Sequence, residues 1–187
     1  MSALTILIIR HAEKPDEAWP GPGLTLAGVE DDKSLVIRGW QRAGSWSALF
    51  GAGRGGLDFP QPSMIYAADP NAAGEGSSHR PFATITPLAA RLNLTPNVSF
   101  SVGQEAQLIR EIVNLAGCVL ISWEHKSIGK SILPALANGQ NIPDMPAKWD
   151  GKRFDVVLRF DRSDAGAQWA FRQLFPCLLS DDSDTPM

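Results

Sequence analysis

Leu4-Thr5-Ile6-Leu7-Ile8-Ile9-Arg10-His11-Ala12-Glu13-Lys14 is the stretch on which the chain turns: an isoleucine-rich apolar run that breaks abruptly into Arg10-His11 and is closed by Lys14-Pro15. A run of that length and β-branched content reads as a buried strand ending in a loop. In open α/β sheets ligands bind outside the carboxyl ends of the strands, the place where this sequence puts an arginine and a histidine.

Working outward, the same logic recurs at residues 118–122 (Cys-Val-Leu-Ile-Ser), a second buried strand that breaks at Trp123-Glu124-His125. Between them, residues 35–50 carry Trp40, Ala43, Trp46, Leu49 and Phe50 at helical spacing, and the glycines of 51–56 stop that helix. No GKS or GKT ending follows those glycines and no strand leads in, so they read as a turn and not as a phosphate cradle. Residues 63–67 are a short strand, Pro81 suits the first turn of a helix over 82–92, and 104–115 is an amphipathic helix. A short helix over 128–136, interrupted by Pro134, precedes a loop over 138–149. Residues 154–160 read as a late strand and 165–175 as a last helix. Residues 16–33 and 71–78 read as loops, the latter mobile and small-residue-rich, both at the rim of the strand ends. Strands alternating with helices predict an α/β fold with a mostly parallel sheet.

The bulk properties bound the function. The 187 residues fit one domain, expected over 1–178, with 179–187 an acidic, disordered tail. The net charge of −3 argues against a nucleic-acid partner, so any anion-binding role must rest on a few local cations. No stretch approaches the roughly 18 apolar residues of a membrane span, and the N-terminus lacks the features of a signal peptide. Cys118 and Cys177 make no disulfide framework, and the reading is a cytoplasmic protein. Of the tryptophans, Trp40, Trp46 and Trp169 read as core, while Trp123 and Trp149 are candidates to border the crevice.

Two of the three histidines, His11 and His125, follow strand-like runs directly, and Arg80 adds a cation after the 63–67 strand. Two arginines and two histidines in one crevice suit a phosphoryl group. Arginine's planar fork donates paired hydrogen bonds to phosphate oxygens and keeps its charge. A histidine among cations is pushed toward its neutral form, leaving one ring nitrogen to attack phosphorus.

These residues also resemble a known family. Leu7-Ile8-Ile9-Arg10-His11-Ala12-Glu13-Lys14 resembles the Arg-His signature of the histidine phosphatase superfamily, also called phosphoglycerate mutase-like. Arg80-Pro81-Phe82-Ala83-Thr84 with Pro87-Leu88-Ala89 resembles its second arginine segment, and Val119-Leu120-Ile121-Ser122-Trp123-Glu124-His125 its second histidine strand, in the family's order. The resemblance implies a three-layer α/β/α sandwich and a metal-independent phosphatase without a cofactor. It implies a phosphohistidine intermediate on His11, with Arg10, Arg80 and His125 binding the phosphoryl group. The substrate would be a phosphorylated small molecule or a phosphoprotein, and inorganic phosphate the product. The small size resembles the compact bacterial phosphohistidine phosphatases.

The sequence departs from the family at the general acid. Many family phosphatases place an aspartate right after the second histidine, where Lys126-Ser127 stand here. Glu105 is the candidate proton donor by analogy with mutase-like members, weighed against a glutamate that merely suits a helix N-terminus. Glu13, Glu124 and Asp69 are lesser candidates. Two other function classes stay open: a non-catalytic phosphate- or phosphoprotein-binding module of the same fold, and a metal hydrolase using His11, Glu13 and His125.

Overall fold

The computed structural model describes residues 3–72 and 78–187; the central part of the expected 71–78 loop lies outside the described residues. The elements follow as β1 (Leu4–Arg10), α1 (Ile37–Gly51), β2 (Met64–Ala67), α2 (Arg80–Leu92), α3 (Glu105–Ile112) and β3 (Gly117–Trp123). A helical stretch comes next: α4 (His125–Ser127), a π turn (Ile128–Ile132) and α5 (Leu133–Ala137). The strands β4 (Val157–Arg162) and β5 (Ala170–Leu174) complete the sheet, whose order is β2-β3-β1-β4-β5.

Alternation along β1 decides the layers, because successive side chains of a strand point to opposite faces. Leu4, Ile6 and Ile8 join Leu108 and Ile112 of α3 and Leu133 and Leu136 of α5 in one core. Leu7 and Ile9 join Trp46 and Phe50 of α1 and Ile85 and Leu88 of α2 in a second core on the other face. Both faces of the sheet are therefore covered, and β1 is apolar on both, as a central strand must be. This is the expected α/β/α sandwich.

The sheet is mixed where a mostly parallel one was expected. β1 pairs parallel with β3, with Arg10 opposite Trp123, and β2 pairs parallel with β3. β4 pairs antiparallel with β1, and β5 antiparallel with β4. The reason lies in the long connection after α5. It returns the chain to the carboxyl end of β1, so β4 begins opposite Ile9 and runs back toward Leu4. The same connection brings residues 150–154 to the functional end of the sheet.

The last helix expected over 165–175 is instead a turn followed by β5. Trp169, Phe171 and Phe175 pack on one core and Leu174 on the other, a period of two that a helix cannot satisfy. The Phe171 and Phe160 rings pack at a tilt across the β4–β5 pair with centroids 4.8 Å apart.

Residues 179–187, expected as a disordered tail, are bonded to the body. Asp182 takes both terminal nitrogens of Arg42, at 2.7 and 3.1 Å, and Arg153 donates to the carbonyls of Ser183 and Thr185. Among the described residues no helix is long and apolar enough to cross a membrane. Cys118 is buried, Cys177 exposed, and both are free.

Candidate active site

His11 sits one residue beyond β1, held by three backbone-level contacts. Its N–H donates to the Trp123 carbonyl at 3.0 Å, which extends the β1–β3 pairing past the end of the strand. Its ring Nδ1 lies 2.8 Å from the Ala12 carbonyl. A carbonyl only accepts, so Nδ1 carries the proton and Nε2 keeps its lone pair. The Ala12 N–H donates to Thr84 Oγ1 at 2.8 Å, and that hydroxyl donates to the Arg80 carbonyl at 2.7 Å. Thr84 thus ties the first turn of α2 to the residue after His11.

His11 is 4% exposed. Burial, then the Arg10 charge, and after the opposing bond to Ala12 the charges of Arg80 and His125, bring its pKa down from 6.5 to about 3. It is neutral at any physiological pH. The same electrostatics put the charges of Arg10, Arg80 and His125 within reach of it, so the four residues singled out from the sequence gather at one end of the sheet.

Arg10 is fixed on three sides. It donates to the Gly151 carbonyl at 2.6 Å and the Arg153 carbonyl at 3.3 Å, and its guanidinium carbon lies 3.7 Å from the centre of the Phe154 ring. Burial lowers its pKa to about 10 against the support of Glu124 and Glu13, so it stays charged at neutral pH. Its Nε is buried without a partner among the described residues. Arg80 opens α2 and donates from Nε to Ser34 O at 3.3 Å and from a terminal nitrogen to Asp32 O at 2.5 Å. Burial lowers its pKa, opposed by Asp31 and Asp32.

His125 opens α4 and is less buried, its side chain 19% exposed. Burial first and Arg10 second lower its pKa, while Glu124 raises it. Glu124 Oε1 lies 3.2 Å from its Nδ1, within ion-pair reach, yet Nδ1 makes no hydrogen bond of good geometry. The glutamate's oxygens are occupied as a cap, accepting from Lys126 N at 3.0 Å and Ser127 N at 2.8 Å.

Each candidate acid has an oxygen engaged elsewhere, though Glu13 Oε2 is buried without a partner among the described residues. Glu105 is buried at the start of α3, and its Oε1 accepts from Trp123 Nε1 at 3.0 Å and Gly103 N at 2.9 Å. Glu13 is fully buried, with Oε1 at 2.8 Å from Arg42. Asp69 closes a local turn by accepting from Asn71 N at 2.8 Å. Trp123, a candidate for the crevice rim, is fully buried in the core. Trp149 is also buried, but its Nε1 donates to the Arg153 carbonyl that Arg10 shares. Among the described residues no three His, Cys, Asp or Glu side chains gather as metal ligands.

Sequence reasoning missed Gly151 and Phe154. Phe154 packs edge-on against the His11 ring, centroids 6.1 Å apart, and Gly151 has the His125 Nε2 3.6 Å from where its Cβ would be. Their only signal was a glycine ahead of a late strand and the aromatic that opens it.

No protein-family model and no curated protein matches this sequence. Among solved structures, a mycobacterial glucosyl-3-phosphoglycerate phosphatase aligns with TM-score 0.55 and 14% identity, over 92% of this chain and 98% of that one. A protein described as mycobacterial hydrolase 2 aligns with TM-score 0.55 and 13% identity, over 92% of this chain and 90% of that one. The likeness is one of fold along nearly the whole chain, and it agrees with the fold that the Arg-His resemblance implies.

Proposed function

We propose that the protein is a phosphatase that transfers a phosphoryl group to His11 Nε2 and then to water, releasing inorganic phosphate. The observation that carries this reading is the His11 ring: neutral, its Nδ1 proton committed to Ala12 O, its other nitrogen a lone pair among Arg10, Arg80 and His125. Attack of Nε2 on phosphorus forms the N–P bond as the P–O bond to the leaving group breaks. Negative charge spreads over the equatorial oxygens, where prepositioned cations are most effective. Arg10 is rigid because two carbonyls and Phe154 fix it, so little ordering remains to be done in the transition state. Water then attacks the phosphohistidine and restores His11. The fold shared with a phosphatase supports the same reading.

The substrate is a phosphorylated small molecule or a phosphoprotein, with phosphohistidine protein among the candidates, and the reaction is expected to need no metal. An aryl phosphate is the first test, with and without chelator, alongside His11→Ala and with a basic quench that preserves phosphohistidine. We expect chelator-resistant turnover and a base-stable phosphoenzyme, both lost in His11→Ala by on the order of 10⁴-fold or more. Folded protein that binds phosphate but neither turns over nor traps it would be a binding module, the reading that the engaged state of Glu105 favours.

A further inference from the structure

The leaving group of a phosphoester needs a proton, and the carboxylates expected to supply it each have an oxygen committed to another partner. One residue before Arg80 stands a histidine that the chemistry above does not use. His79 precedes α2, and its Nδ1 lies 2.8 Å from Asp31 Oδ2. Partial burial raises the Asp31 pKa, but hydrogen bonds from His79 and the Lys33 N–H together with nearby positive charge bring it below the usual carboxylate value, so Asp31 is an anion that orients the ring. With Nδ1 held, Nε2 is the nitrogen left to exchange protons, and the side chain is 44% exposed.

The pair lines a cavity of about 470 Å³ whose other walls include Leu26, Trp40, Phe82 and Val98. Ser34 and Ala83 also line it. The Ser34 carbonyl accepts from Arg80 Nε, and Ala83 packs on Ala12. Through Ser34 the cavity lies one hydrogen bond from Arg80. Leu26 is 70% exposed on this loop, an apolar surface with no packing role of its own.

We propose that this cavity holds an apolar leaving group of the substrate and that His79, oriented by Asp31, protonates its departing oxygen. The inference rests on phosphoryl transfer to His11. As the P–O bond breaks, the proton on His79 Nε2 passes to the oxygen that leaves. In the second step neutral His79 takes a proton from the attacking water, and the balance closes. Asp31 is a positioning residue, because it acts only through the ring.

The test compares 4-nitrophenyl phosphate, whose leaving group needs no proton, with phenyl phosphate, whose leaving group does. In His79→Gln, kcat/KM for phenyl phosphate should fall about 100-fold while that for 4-nitrophenyl phosphate changes by no more than about threefold. Asp31→Asn should show the same asymmetry, smaller in size. Leu26→Asp, at an exposed position, should raise KM for 1-naphthyl phosphate and leave that for glycerol phosphate in place. Equal losses on both aryl substrates in His79→Gln would overturn the inference and leave the phosphatase reading standing. Absence of turnover and of phosphoenzyme in the unaltered protein would overturn both.

Discussion

The ends of β1 and β3 are neighbours in register, Arg10 opposite Trp123, and each delivers a histidine to the crevice, yet they deliver it differently. At β1 the histidine follows the strand at once and is 4% exposed, walled by Phe154 and by the Arg10 that two carbonyls pin in place. At β3 the strand gives way to Glu124, and His125 stands one residue further out, on a helical turn, with its side chain 19% exposed. Burial makes the first histidine neutral and directional. Partial exposure and a neighbouring carboxylate let the second respond to charge. The difference fits the roles proposed for them: nucleophile at β1, stabiliser of phosphoryl charge at β3.

The largest effect expected at the β3 end comes from His125→Ala. Removing one prepositioned donor typically costs about 10²–10³ in kcat. Because His11 remains, phosphoenzyme should still accumulate in a quenched single turnover, only more slowly. If His125→Ala abolishes phosphoenzyme as completely as His11→Ala does, the two strand ends do not have distinct roles.

How much of this contrast could be read from residues alone follows from where its parts lie. Arg10, His11 and His125 were legible because a strand breaking into polar residues is a local signal, and Arg80 because proline after it marks a helix start. The walls of the β1 end were not legible. Gly151 and Phe154 lie some 140 residues away in sequence and reach the site only because β4 runs antiparallel to β1. That direction depends on the return path after α5, which no periodicity records. The surroundings of Glu105 were hidden for a related reason: the sequence shows a glutamate opening a helix, but not the Trp123 indole that donates to its Oε1. β5 was misread because its aromatics fit two periods, and only packing against Phe160 and the core selects one.

The rigidity of the β1 end depends on α1 as well. A Cβ on Gly39 would stand 2.4 Å from the Glu13 carbonyl, so only glycine lets α1 lie against the loop that follows His11. Gly44 in the same helix has open space at its Cβ position. Gly39→Ala should therefore destabilise by about 1–3 kcal/mol through overpacking, whereas Gly44→Ala should stabilise by about 1 kcal/mol through helix propensity. Denaturant midpoints read both signs. A Gly39→Ala shift that is neutral or stabilising would show that the loop after His11 is not clamped.

The smallest effect sharpens the comparison most. Glu124→Gln keeps one acceptor oxygen where the carboxylate uses two, so one of the N–H bonds from Lys126 and Ser127 survives to hold the turn carrying His125, while the charge 3.2 Å from His125 Nδ1 is gone. That charge favours protonated His125 against burial and Arg10, so its removal lowers the His125 pKa further. The alkaline limb of kcat/KM, where His125 loses its proton, should move to lower pH. Arg10 loses some support as well but, at about 10, stays protonated through the relevant range. His11 is governed by burial, Arg10, Arg80 and His125, with its own titration near 3, so the acid limb should hold its place. A pH–rate profile in which both limbs moved together would mean that the two histidines titrate as one unit, and the separation of a buried nucleophile from a charge-responsive partner would fail.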